Sequence, residues 1–286
     1  MTDASLPRSA NVVGRSTGDR IILIATMLMA LVMLLPVLWV IGLSFKMNAE
    51  IKLDPNSVFH IPYTLKNYGD VLSGSNVFRW FGNSFIVAIG MTAGVLILSS
   101  LAGYGFARLN FPFKNVIFII VLFGLAVPEQ AVIVARHQIF SVLKLHNTYQ
   151  GLILPGLSAS FGVFLMTQYF RAIPREIDEA ALLDNASRFK IFWKVLLPLT
   201  IPAQATLGIF TFLGAWNDYW WPLISATKKE MFTITTGIAS MQMNFAQTEG
   251  LGFIMAQAVM AALPTLLVYL FFQKYIVTAV SGSAVR

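Results

Sequence analysis

The sequence predicts an all-α polytopic membrane protein, a bundle of six transmembrane helices with one long helical loop on its cytoplasmic side. Three observations carry that reading. Of the 286 residues, 57% are hydrophobic. Only 12% are charged, about half the share of an ordinary soluble domain. Apolar runs of about 20 residues recur along the chain, the length a helix needs to cross a hydrocarbon core of about 30 Å while bonding its own backbone groups.

The runs fall at 21–45, 83–106, 115–135, 149–170, 203–226 and 251–272. The first is preceded by a polar tail, 1–20, with Arg8, Arg15 and Arg20, and lacks the small-residue cleavage pattern of a signal peptide, so it is expected to stay as a span. The membrane domain is therefore expected over 21–280, with 281–286 as a second short tail. Pro128, Pro155, Pro222 and Pro264 lie in or at the edges of runs and predict kinks. In the second run Gly90, Ala93, Gly94, Ser99, Ser100 and Gly103 would let helix backbones approach closely, which predicts a central helix.

With the N-terminus inside, the cytoplasmic connections and tails hold twelve Lys and Arg and the opposite ones eight, which places both termini in the cytoplasm. The formal net charge of +7 is scattered over connecting segments with no basic face, so membrane lipid and not nucleic acid is the expected surroundings. There is no cysteine, which excludes disulfides, thiolate nucleophiles and Cys-based zinc sites. His60, His137 and His146 are widely spaced, and neither H-E-x-x-H nor G-x-S-x-G occurs, so no catalytic or metal site is expected. No Walker A sequence is present either, and ATP would have to be used by another chain.

The loop 171–200 is the informative segment. Pro174 suits the first turn of a helix, and Glu176, Asp178 and Glu179 behind it favour the positive end of the helix dipole. Asn185 stands where that helix should close in a left-handed turn. Phe189, Phe192, Trp193 and Leu196 then recur at i, i+3, i+4 and i+7, predicting an amphipathic second helix with one apolar stripe. A loop lying among lipid headgroups would explain the second helix. It would not explain an acidic first helix, nor the small pair Ala180 and Ala181, which leaves one side flat for a protein partner.

Residues 173–198, IPREIDEAALLDNASRFKIFWKVLLP, resemble the cytoplasmic loop of the carbohydrate-type, binding-protein-dependent ABC transporter permeases related to the maltose permease. The similarity continues through YQGLILP at 149–155 and GAWNDYWWPL at 214–223. One departure is that Asn185 replaces the usual glycine after the motif aspartate, and asparagine tolerates the same turn. The resemblance implies a type I importer fold in which Glu179, Ala180, Ala181, Asp184 and Asn185 dock on an ATPase. It also implies the partners: a second, non-identical permease subunit, two ATPase subunits that hold ATP-Mg, and an extracellular or periplasmic solute-binding protein. This chain would hold no cofactor, and the cargo would be a sugar or related polyol crossing the bacterial inner membrane. The short tail 281–286 resembles members whose tail reaches between the ATPase subunits.

Polar groups within the spans are pathway candidates. Asn217 and Asp218 interrupt the fifth run between Trp216 and Trp220, where aromatic faces and polar groups together would suit a sugar. An aromatic belt at the outer interface is the competing reading of the same residues. Glu129, Gln130, Gln168 and Gln257 are weaker candidates. Two other classes compete for the whole chain: an ion-gradient-driven secondary transporter, and a polytopic protein without a transport role. The first calls for paired broken helices with acidic midplane sites, which are not evident.

Overall fold

A computed structural model describes residues 17–74, 76–245 and 250–281. Along the chain run helices α1 (Thr17–Ser44), α2 (Asn48–Leu53), α3 (Lys66–Gly74), α4 (Val77–Arg108), α5 (Lys114–Phe123), α6 (Glu129–Val142), α7 (Tyr149–Ile153) and α8 (Ser160–Ala172). Next come α9 (Glu176–Leu183), α10 (Arg188–Ile191), α11 (Leu197–Leu199), α12 (Ile201–Asn217), α13 (Trp220–Ser225), α14 (Ile234–Phe245) and α15 (Leu251–Ser281). The described residues contain no strand.

Three of these helices, α1, α4 and α15, are each long and apolar enough to cross a membrane. Two bent pairs raise the number to five: 149–157 with α8, bent by 47°, and 188–199 with α12, bent by 75°. The run 115–135 is not one helix. It gives the ten-residue apolar α5, a break from Gly124 to Pro128, and then α6. Proline has no N–H to donate, so Pro128 caps the new helix instead of continuing the old one. Pro155 sits in a 3-10 turn and Pro222 in the first turn of α13, whereas α15 runs on through Pro264. Of the expected tails 1–20 and 281–286, residues 17–20 belong to α1 and Ser281 ends α15, and 1–16 and 282–286 lie outside the described residues.

Helix α4 is the axis of the bundle, packed by α8, α12, α7 and α14. The small residues are the reason. A Cβ on Gly103 would lie 2.9 Å from the Met166 carbonyl carbon, and one on Gly162 would overlap the Ser99 side chain, so α4 and α8 meet almost backbone to backbone. Helix α1 leans on α15 and leaves Ile21 to Leu38 largely exposed.

The end of α4 remote from the loop 171–200 is held by directed hydrogen bonds. Asn83 Nδ2 donates to the carbonyls of Glu230 (2.9 Å) and Phe232 (2.8 Å), and Tyr149 Oη donates to Asn83 Oδ1 at 2.8 Å. Trp80 Nε1 donates to the Lys229 carbonyl at 2.8 Å. Lys46, a loop charge by sequence position, is fully buried at this end, its ammonium bonded to the carbonyls of His60 and Pro62 with the Glu50 carboxylate 3.6 Å away.

Candidate functional site: the loop 171–200 and an internal cavity

Helix α9 begins at Glu176, two residues after the proline expected in its first turn. Arg175 is its N-cap, so Pro174 stands just ahead of the helix, while Glu176, Asp178 and Glu179 occupy the first turn. At the other end Asn185 has φ 55°, the left-handed conformation expected of it. Two bonds close the turn: Asn185 N–H to the Leu182 carbonyl (3.0 Å) and Ala186 N–H to the Ala181 carbonyl (3.1 Å). This is the double-bonded helix end that a left-handed residue permits.

The closed turn sorts the residues predicted to dock. Glu179, Ala180, Asp184 and Asn185 are exposed, and beside them Leu182 and Leu183 face outward, Leu183 at 86% exposure. Ala181 instead tucks with Ile177 against the bundle. The exposed leucine pair is apolar surface on a short acidic helix that the rest of the bundle leaves uncovered.

One ion pair anchors the helix. Arg108, at the end of α4, places Nε 3.1 Å from Asp178 Oδ2, with the two side chains 6% and 18% exposed. The N–H does not point at that oxygen, so the attraction is electrostatic more than a directed hydrogen bond. The same guanidinium donates to the Ile173 carbonyl at 2.7 Å.

The second helix departs from its predicted stripe. After α10, capped by Ser187, residues Phe192–Leu196 form a π-helical turn. The extra residue in that turn rotates the register, so Ile191, Phe192 and Leu196 are buried while Phe189 is 70% and Trp193 46% exposed. Phe192 wedges into an aromatic cluster, its ring centroid 5.1 Å from Tyr104 and 6.2 Å from Phe170.

The polar candidates of the fifth run separate. Trp216 is buried, stacked on Phe212 at 6.0 Å, its indole donating to the Ala261 carbonyl at 3.2 Å. Asn217 folds back on the Leu213 carbonyl, and Trp220 is 55% exposed. Of the four, Asp218 lines a cavity of about 230 Å³ that Glu129, Arg136 and Trp221 also line. The backbone N–H groups of Trp220 and Trp221 lie close to the Asp218 carboxylate. Arg136 is paired to Glu129 at 2.7 Å and lies 5.2 Å over the Trp221 ring, whose N–H is fixed by the Gly151 carbonyl at 2.9 Å. An ion pair, a carboxylate and an indole face thus share one small cavity. Sequence reasoning counted Arg136 only as a loop charge, although its spacing of seven from Glu129 puts both on one helix face. Among the described residues no cluster of His, Asp and Glu suits a metal ion.

Residues 95–282 match the family described as the inner membrane component of binding-protein-dependent transport systems. The chain belongs to this family. The inner membrane component described here is 31% identical over 267 residues to the arabinooligosaccharides transport system permease protein AraQ of Bacillus subtilis, covering 91% of this chain and 93% of AraQ. It is 32% identical to the diacetylchitobiose uptake system permease protein NgcG of Streptomyces coelicolor, over 91% of this chain and 86% of NgcG. It is 31% identical to the trehalose/maltose transport system permease protein MalG of Thermococcus litoralis, over 93% of this chain and 96% of MalG. Its fold is similar to a chain in the crystal structure of a bacterial ABC transporter involved in import of the acidic polysaccharide alginate. That match has a TM-score of 0.80 and 23% identity, over 91% of this chain and 98% of that one.

Proposed function

We propose that this inner membrane component is the permease subunit of an ATP-driven importer of a sugar or related polyol, and that α9 couples it to a separate ATPase. The observation that carries the reading is the free face of α9. Glu179, Ala180, Leu182 and Leu183 project from a helix that is tied to α4 by Arg108 and closed by Asn185, so the chain presents a rigid surface that its own bundle leaves uncovered. The saccharides in the names of AraQ, NgcG and MalG support the cargo class. The cavity at Asp218, Arg136 and Trp221 is the favoured pathway contact, since an indole face suits sugar C–H groups and the ion pair suits hydroxyls.

In this reading six spans separate two cytoplasmic ends, with α5, the break and α6 together making the third. ATP-Mg is bound and hydrolysed on the ATPase. One loop 171–200 engages one ATPase subunit, and paired ATPases require a second docking loop from a distinct permease. A solute-binding protein delivers the cargo from outside.

Glu179→Arg tests the reading. The variant is expected in the membrane at normal levels, with ATPase co-purification and uptake both lost, because a reversed charge cannot pair with a basic socket. Wild-type assembly and uptake in Glu179→Arg would refute the docking role.

A further inference from the structure

On the α9 side of the bundle lies a cleft of about 600 Å³, larger than the cavity at Asp218 and unused by the mechanism above. Four cations line it: Arg108 closing α4, Lys114 opening α5, Arg171 ending α8 and Arg175 capping α9. Only Arg108 has a carboxylate partner among the described residues. Lys114 spends one donor on the Leu109 carbonyl at 2.7 Å, and Arg171 stacks on Phe118 at 5.2 Å, so both heads are positioned with donors to spare. Four neighbouring cations with one carboxylate between them form a surface that an anion would stabilise.

We propose that this cleft binds the phosphate headgroup of an anionic phospholipid. It rests on the orientation given under Proposed function, which puts the cleft at the inner leaflet. Two features favour a lipid over a free anion or an acidic protein. Phe113 at the mouth is 77% exposed, as suits an aromatic side chain at the headgroup level. Directly beyond it α5 offers Val116, Ile119, Ile120 and Phe123, all more than half exposed, as a continuous track for acyl chains under the bound phosphate. Basic pockets flanking membrane helices on the cytoplasmic side suit such headgroups.

The test is native mass spectrometry of the complete detergent-purified transporter titrated with dioleoyl phosphatidylglycerol or dioleoyl phosphatidylcholine. The Lys114→Gln/Arg171→Gln variant is compared with Lys52→Gln/Lys66→Gln, which removes the same charge at the opposite end of α4. The expected result is preferential retention of phosphatidylglycerol that falls about tenfold in the first variant and stays in the second. Four results would overturn the proposal. They are equal retention of both lipids, an equal fall in both variants, displacement of the lipid by millimolar inorganic phosphate (a free-anion site), and lipid-independent loss of the ATPase from Lys114→Gln/Arg171→Gln (a protein contact).

Discussion

Removing the carboxylate of Asp178 tests whether α9 works as a rigid lever or a loose tether. At 3.1 Å and an effective dielectric of about 20, the gross attraction to Arg108 is about 5 kcal/mol. Desolvation of a guanidinium that is 6% exposed takes back much of it, and the misaligned N–H adds no directed bond. Breaking a buried pair costs about 3–5 kcal/mol. With Asp178 partly open to solvent, Asp178→Ala is expected to cost about 2–3 kcal/mol, or roughly 30- to 150-fold in the ratio of anchored to released α9. The stability of the spans should change little, because Arg108 keeps the Ile173 carbonyl. Limited proteolysis between Arg175 and Arg188 should speed up by about that factor, while the ATPase still co-purifies and uptake falls. A cycle with Arg108→Met and the double variant isolates the pair. A coupling energy under about 0.5 kcal/mol, or a loop as protease-resistant in Asp178→Ala as in wild type, would refute the lever.

Asn185→Gly should preserve ATPase assembly, whereas Asn185→Val should lose about 1–2 kcal/mol at the turn and with it most uptake, since a β-branched residue resists φ 55°. A fully active Asn185→Val would show that the two closing bonds do not set the docking face. The native chain has no cysteine, so single cysteines at Lys66 and Lys228 should react with an impermeant maleimide from outside intact cells. Protection of either would overturn the topology. Gln204→Leu removes two hydrogen bonds at the bend before α12 and should leave the ATPase attached while cutting transport severalfold; unchanged uptake would show that the bend carries no load.

What was legible in the sequence was local. The acidic first turn of α9 and the left-handed Asn185 depend on neighbours a few residues away, and both stand as read. The central place of α4 was legible because close helix approach needs small residues at the contact itself. What failed depends on packing. The stripe through Phe189 and Trp193 obeys helical spacing, but the pocket between Tyr104 and Phe170 takes Phe192 and forces a π turn that no periodicity in 188–199 announces. Lys46 reads as a solvated charge until the carbonyls of His60 and Pro62 fold over it. Trp216 and Trp221 have the same chemistry five residues apart and are both buried, and the change of direction at Asp218 puts them in two different core clusters, Trp221 also forming part of the cavity wall.

That change of direction ties the two candidate sites into one body. From the closed turn at Asn185 the chain passes through α10, the π turn and α11, bends by 75° at Thr200, and runs along α12 to Asn217. The bend is not a hinge. Thr200 is buried and its hydroxyl donates to the Leu197 carbonyl at 2.8 Å, while Gln204 Nε2 reaches both that carbonyl and Thr200 Oγ1 at 2.9 Å. With the Thr200 backbone N–H also donating to it at 3.0 Å, the Leu197 carbonyl accepts three bonds, and opening the corner would strand it inside the protein at about 1–3 kcal/mol. A displacement imposed on α9 has a lower-cost outlet in rotating the corner and α12 together. Just past the far end of α12 stands Asp218, whose carboxylate lies beside the first amides of α13, next to the Trp221 ring on which Arg136 rests. Under the function proposed above, a load at the exposed leucines of the loop would reach the ion pair and indole face of the cavity along this path.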